Sequence, residues 1–192
     1  MAYIFISYYD TGIYLNTHKH IHICMINLRI YIYTISYRET VKLEGSKTFE
    51  WLKGWDFYKS ALSPLLSPHS RILHLGCGNS ALSPDMYKDG YIHQTNMDYS
   101  QSVITTMSEM YTDLPEISWV VGDIFEMSRA LFGDGPCFDV VIDKGTMDAW
   151  LTGWTDEDPW APSEACLQKA REYVSEVEKV LIQHPDSKFI QM

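Results

Sequence analysis

Four clusters of residues have the types and spacing to bind and react a nucleotide-like ligand. The first is Gly76-Cys77-Gly78-Asn79-Ser80-Ala81, where glycine lets backbone N–H groups approach a ligand at distances a side chain would block. Asp98 follows about 20 residues later, where a carboxylate accepts hydrogen bonds from both ribose hydroxyls of an adenosine. In Gly122-Asp123-Ile124-Phe125, an acceptor suited to an adenine amino group stands beside an apolar wall. The fourth cluster, Asp143-Lys144-Gly145-Thr146-Met147-Asp148, is unusually polar for a plain loop. Its Asp143 and Asp148 are the candidate catalytic carboxylates, residues able to orient a reacting group or receive its proton.

No single cluster decides the ligand. The glycine pattern matches the dinucleotide signature G-x-G-x-x-G/A, so a nicotinamide-dependent oxidoreductase shares it, and shares Asp98 as well. Asp123 and the 143–148 loop are less required by a dinucleotide. Each also has a plainer reading, Asp123 as the cap of a turn and Lys144 as a solvated surface residue. Four such clusters at successive strand ends argue for a site.

The elements that must position them follow an alternating order of strands and helices, which predicts a parallel sheet wrapped by crossover helices. Strands are expected over 71–75, 91–97, 117–121, 138–142 and 188–192. The run Phe138-Asp139-Val140-Val141-Ile142 is nearly all apolar, as a strand covered on both faces requires. Ser83-Pro84 is expected to open a short helix that Gly90 stops. Ser100 is expected to cap a helix burying Val103, Ile104, Met107 and Met110. From 163 to 181, Cys166, Ala170, Tyr173, Val174, Val177, Val180 and Leu181 recur at spacings of three and four, the pattern of an amphipathic helix. Each cluster thus falls at the carboxyl end of a strand, where open α/β sheets meet their ligands. An open sheet of this kind usually continues past a fifth strand, so the domain is expected to be C-terminally incomplete.

The 192 residues are 46% hydrophobic and 21% charged, which suits one core rather than two. A formal net charge of −10 argues against a phosphate-backbone partner, because nucleic-acid binding relies on clustered Lys and Arg. The four cysteines show no CxxC spacing, so neither a metal centre nor a disulfide framework is expected, and a reducing, cytoplasmic setting fits. Residues 1–37 form an atypical Ile- and Tyr-rich segment that matches no targeting class and no membrane span, while 38–192 form the domain that carries the four clusters. His18, His20 and His22 alternate within that segment without an acidic or thiol partner, so they read as an incidental cluster. The tryptophans Trp150, Trp154 and Trp160 suit either a substrate channel or packing against the sheet.

The stretches Ile72-Leu73-His74-Leu75-Gly76-Cys77-Gly78-Asn79-Ser80, Asn96-Met97-Asp98-Tyr99-Ser100 and Phe138 through Ala149 resemble the eukaryotic protein-lysine methyltransferases that modify elongation factor 1-alpha, the lysine methyltransferase 4 and methyltransferase-like 13 family. The likeness runs over about 49–192. It implies a class I, Rossmann-like methyltransferase fold, doubly wound around a mostly parallel sheet, with S-adenosylmethionine as cofactor and a protein such as elongation factor 1-alpha as substrate. It further implies that Gly76 contacts the cofactor, that Asp98 and Tyr99 hold the ribose and the adenine face, and that Asp123 and Ile124 address the adenine. Lys144 would lie at the reactive side, and Trp51 matches an aromatic of the family's N-terminal region. The family's Y-W-x-x-R-Y segment is represented here only by Tyr37-Arg38. A methyltransferase-like binding module without catalysis and an enzyme with a small-molecule acceptor are the competing readings.

Overall fold

Burial dictates the centre of the fold. Strand β3 (Ile72–Leu75) and strand β6 (Val140–Asp143) are buried at every position and pair in parallel, Ile72 opposite Val140 and Leu75 opposite Asp143. The computed structural model describes residues 2–6, 13–16, 48–132, 137–151 and 163–192. On the other side of β3, strand β4 (Gln94–Asp98) pairs in parallel and then carries β5 (Ile117–Val121) at the edge. Beyond β6 lie β7 (Lys188–Gln191), then β1 (Ala2–Ile6), then β2 (Ile13–Asn16). The order β2-β1-β7-β6-β3-β4-β5 makes β3 the point where the chain reverses its direction of progress across the sheet. A crevice opens above the carboxyl ends of the strands at such a reversal.

The sheet is wider than the five strands expected. Ala2–Ile6 joins the exposed side of β7 in parallel, and Ile13–Asn16 folds back on it antiparallel. Isoleucine and tyrosine are strong strand formers, so part of the Ile- and Tyr-rich segment belongs to the sheet. His18, His20, His22, Tyr37 and Arg38 lie outside the described residues.

Six helices are described: α1 (Trp55–Leu62), α2 (Leu82–Lys88), α3 (Gln101–Met110), α4 (Met127–Phe132), α5 (Thr146–Leu151) and α6 (Glu164–Val180). α6 buries Cys166, Ala170, Tyr173, Val174, Val177 and Val180 against Leu73, Leu75, Val141 and Phe189 of the sheet. Each of the buried valines contributes roughly 1.5–3 kcal/mol. Ser163 caps α6 by accepting from Cys166 N–H at 3.2 Å. α1 and α2 cover the opposite face, packing Trp55, Tyr58, Leu62, Leu82 and Met86 on Ile72, Val140, Ile142 and Ile190. Ser100 caps α3 as expected, whereas Met110 is only half-buried. α2 begins at Leu82, so Ser83 and Pro84 fall within its first turn rather than at its cap, where a missing proline N–H costs no helical bond. β4 starts three residues later than the apolar pattern indicated, because the Gln94 amide turns back to the Tyr91 carbonyl instead of leaving a continuous strand.

Among the described residues, no helix is long and apolar enough to cross a membrane, and no cluster of His, Cys, Asp or Glu could hold a metal ion.

Candidate active site

The loop after β3 turns through two residues in left-handed backbone, Gly76 at φ 56° and Gly78 at φ 52°. A Cβ on Gly76 would stand 2.4 Å from Thr146 Oγ1, so glycine is needed for close approach as well as for conformation. Thr146 uses that proximity: its hydroxyl donates to the Leu75 carbonyl at 2.8 Å and joins the ends of β3 and β6. Gly78 N–H donates to Asp98 Oδ2 and Ser100 N–H to Asp98 Oδ1, both at 2.9 Å. Asp98 is thereby aimed from the end of β4, and burial raises its pKa while the two N–H groups pull it back. Each of its oxygens keeps a lone pair for a ligand hydroxyl.

These elements enclose a cavity of about 420 Å³ over the ends of β3, β4, β5 and β6. Trp51, Gly76, Asp98, Tyr99, Asp123, Ile124 and Lys144 all line it. Tyr99 is 68% exposed and presents its ring at the mouth. Asp123 is exposed and caps the short turn over Ile124–Glu126, accepting from Phe125 N–H at 2.9 Å, so the turn-cap reading holds for a carboxylate that also lines the cavity. Ile124 and Phe125 form the apolar wall beside it.

Asp143 sits elsewhere. Its carboxylate is fully buried and accepts from Thr146 N–H at 2.7 Å, Met147 N–H at 3.0 Å and the Tyr173 hydroxyl at 2.7 Å. Burial outweighs these donors and lifts its pKa to about 6. With three internal donors and no face on the cavity, it organises the start of α5, which corrects the expectation that it meets a reacting group. Asp148, on α5, is half-buried and does not line the cavity either. Its pKa is pushed up to about 7, first by burial and then by Asp143.

Several lining residues carry no signal in the local sequence. Segment 48–52 runs under the mouth, with Phe49 N–H donating to the Asn79 carbonyl at 3.0 Å and the Trp51 ring against Gly145. Glu50, between them, accepts from Ala81 N–H at 2.6 Å, from the Ser80 hydroxyl and from the Lys144 ammonium. These partners lie 30, 31 and 94 residues away, which no spacing rule could connect. Lys144 is therefore not a solvated surface residue: its side chain is only 7% exposed. The inner wall adds His74 and Asn96. His74 is held neutral by burial, with its pKa near 4, and bonds to Gln94 at 2.6 Å, while Asn96 donates to the Ser83 hydroxyl. Trp150 lines the cavity and packs on Phe125 with ring centroids 4.8 Å apart, whereas Trp154 and Trp160 lie outside the described residues.

Comparison with known proteins agrees with this architecture. The methyltransferase-domain family matches residues 66–192. EEF1A lysine methyltransferase 4 of Bos taurus is 38% identical over 147 residues, covering 77% of this chain and 54% of that protein. The eEF1A lysine and N-terminal methyltransferase of Homo sapiens is 38% identical over 138 residues, which is 71% of this chain and 18% of that protein. The chain thus spans about half the length of the first of these relatives, and less of the second. Among solved structures, the glycopeptide N-methyltransferase MtfA complexed with (S)-adenosyl-L-methionine superposes with a TM-score of 0.51 at 17% identity, over 74% of this chain and 56% of MtfA. That likeness speaks to the fold, and the family match covers β3 to β7 with the strand-end loops of the cavity, though not the 48–52 segment; the chain belongs to the methyltransferase-domain family.

Proposed function

We propose that this chain is an S-adenosylmethionine-dependent methyltransferase that transfers a methyl group to a lysine side chain of a protein, with elongation factor 1-alpha as the candidate substrate. The observation that carries the reading is that Asp98, held at the end of β4 by Gly78 and Ser100 N–H groups, shares one cavity with Asp123 at the end of β5, the acceptor that a dinucleotide requires less. The residues present fit the cofactor. Asp98 suits the ribose hydroxyls, Asp123 the adenine amino group, Ile124 and Phe125 the adenine face, and the Gly76 turn leaves room for the chain that follows. When bound, S-adenosylmethionine supplies an electrophilic methyl group on its sulfonium.

The protein's own tasks are alignment and desolvation. Holding donor and acceptor at near-attack distance accounts for much of the rate enhancement such sites achieve. The acceptor lysine must also be neutral, and a mouth walled by Phe49, Trp51 and Trp150 lowers a lysine pKa by excluding water. Neither Asp143 nor Asp148 borders the cavity, so desolvation rather than a carboxylate base frees the amine. The acceptor class rests on the names of the eEF1A methyltransferases to which this chain is similar, and the net charge of −10 is compatible with a basic partner.

Calorimetric titration with S-adenosylmethionine, with NAD as control and Asp98→Ala as the site variant, tests the cofactor. Saturable heat with the cofactor alone, lost in the variant, is expected; heat from NAD instead would replace the reading with an oxidoreductase. Transfer of labelled methyl from the cofactor to purified elongation factor 1-alpha, mapped to a lysine by mass spectrometry, tests the acceptor.

A further inference from the structure

The sheet has an unprotected edge beside the cavity. Among the described residues no strand lies beyond β5, and its register with β4 runs unbroken from Ile117 opposite Gln94 to Val121 opposite Asp98, so no bulge twists the edge away. Its sequence, Ile117-Ser118-Trp119-Val120-Val121, contains neither the lysine nor the proline that commonly blunts an edge. Strands β3 and β6 are buried throughout, whereas on β5 Ser118 is exposed and Trp119, Val120 and Val121 are half-buried.

One hydrogen bond fixes which backbone groups face outward. Gly122 N–H donates to the Asp98 carbonyl at 3.0 Å and so points at β4. Alternation along a strand then turns the N–H and C=O of Ser118 and Val120 toward β4, and those of Trp119 and Val121 away from the sheet. No described residue pairs with these outward groups. The Trp119 ring is already stacked on Tyr111, with centroids 6.2 Å apart, so what the edge offers is a row of backbone donors and acceptors.

Charge says what kind of chain fits there. Between Lys88 and Arg129 the sequence holds no Lys or Arg. Asp113 and Glu116 precede β5, Asp123 and Glu126 follow it, and all are exposed. Glu116 accepts from the Tyr87 hydroxyl, a bond that lowers its pKa and keeps it ionised. Both ends of the edge are therefore negative. A second copy of this chain would set those same acids against each other, whereas a strand with cations at its ends would complement them.

We propose that the β5 edge is a docking strand, on which an extended, lysine- or arginine-bearing segment of the acceptor protein adds to the sheet. Backbone pairing with Trp119 and Val121 supplies the contact, and the acids at either end select a basic segment. The edge also leads to the site, because Gly122, Asp123 and Ile124, which follow β5 directly, line the cavity. From there to the end of β6 is three strand spacings, roughly 14 Å, which about four further residues of extended chain cross. The inference rests on the protein-acceptor reading above and extends it to how the acceptor is held.

The test uses the full chain and two peptide probes, one alternating valine with lysine and the other valine with glutamate. Amide hydrogen exchange reads the edge directly. The lysine peptide is expected to slow exchange at Trp119 and Val121 by about ten-fold or more, an effect that added salt reverses, and the glutamate peptide should leave both amides unchanged. Trp119→Pro removes an N–H that the ladder to β4 does not use, so protection of Val121 should vanish while S-adenosylmethionine still gives saturable heat. A chain carrying both Asp113→Lys and Glu116→Lys keeps the edge strand itself intact. It should reverse the peptide preference and raise KM for elongation factor 1-alpha by about ten-fold with kcat unchanged. Exchange unaffected by the lysine peptide, equal effects of the two peptides, or an unaltered KM in the charge-reversed chain would overturn the docking strand. Protection of the same amides without peptide, growing with protein concentration, would assign the edge to a second copy and overturn it as well. If the parent methylates no elongation factor 1-alpha while the lysine peptide still protects the edge, that acceptor falls and the docking strand stands.

Discussion

The carboxylates of the 143–148 loop show how environment, not residue type, sets a role. Asp143 is spent on internal donors, and the Tyr173 hydroxyl from α6 is the one that reaches it across the core. Tyr173→Phe leaves the buried carboxylate with one donor fewer, and is expected to lower unfolding free energy by about 1–3 kcal/mol in urea titrations. Asp148 behaves differently, because burial and Asp143 raise its pKa to about 7 in the folded chain. A carboxyl raised on folding contributes its full stability below about pH 4, the unfolded value, and loses it as the pH climbs through 7. Asp148→Asn is therefore expected to be more stable than the parent at about pH 8, by on the order of 1–3 kcal/mol, with the difference closing near pH 4. Thermal melts of the two proteins across that range check it, and a difference that does not change with pH would refute the raised ionisation.

At the scale of elements, the glycine turn and the start of α5 form one joint. Thr146 packs where a Gly76 side chain would stand and donates its hydroxyl to the Leu75 carbonyl at 2.8 Å. Gly76→Ala combines a left-handed backbone with that collision and is expected to cost on the order of 2–4 kcal/mol, read from the urea midpoint, together with weakened cofactor binding. The turn itself was legible from Gly76-Cys77-Gly78 between an apolar strand and a helix, and so was α6, whose apolar residues recur at helical spacing over 17 positions. α1, α4 and α5 were not anticipated. α4 and α5 are six residues long, too short for a period of 3.6 to repeat convincingly, and their stability comes from packing on α6. The boundaries of β4 escaped the apolar pattern for a related reason: Gln94, Asn96 and Asp98 are polar residues buried there by specific partners.

At the scale of the whole molecule, the described strands of the sheet form a parallel array from β1 to β5, and among them only β2 is reversed. β1 occupies the side of β7 that would otherwise present unpaired N–H and C=O groups, a template for association. Ile4 pairs opposite Ile190 on β7 and Leu15 on β2. Ile4→Pro removes a donor from this double ladder, so it is expected to increase proteolysis within the first 16 residues and to raise the self-associated fraction seen by light scattering. Unchanged proteolysis and a monodisperse sample would argue that the edge is protected by other means.

By itself, the sequence determined the alternation of elements, the fold class and the four strand-end clusters, because those depend on local periodicity and on glycine and carboxylate residues at short spacing. Tertiary structure alone decided which carboxylates face the cavity and which face the core. It also decided that Glu50 joins Lys144, and that Ala2–Ile6 belongs to the sheet edge beside β7. Those pairings bring together residues tens to more than a hundred positions apart, and burial and hydrogen-bond partners of that kind exist only once the chain has closed on itself.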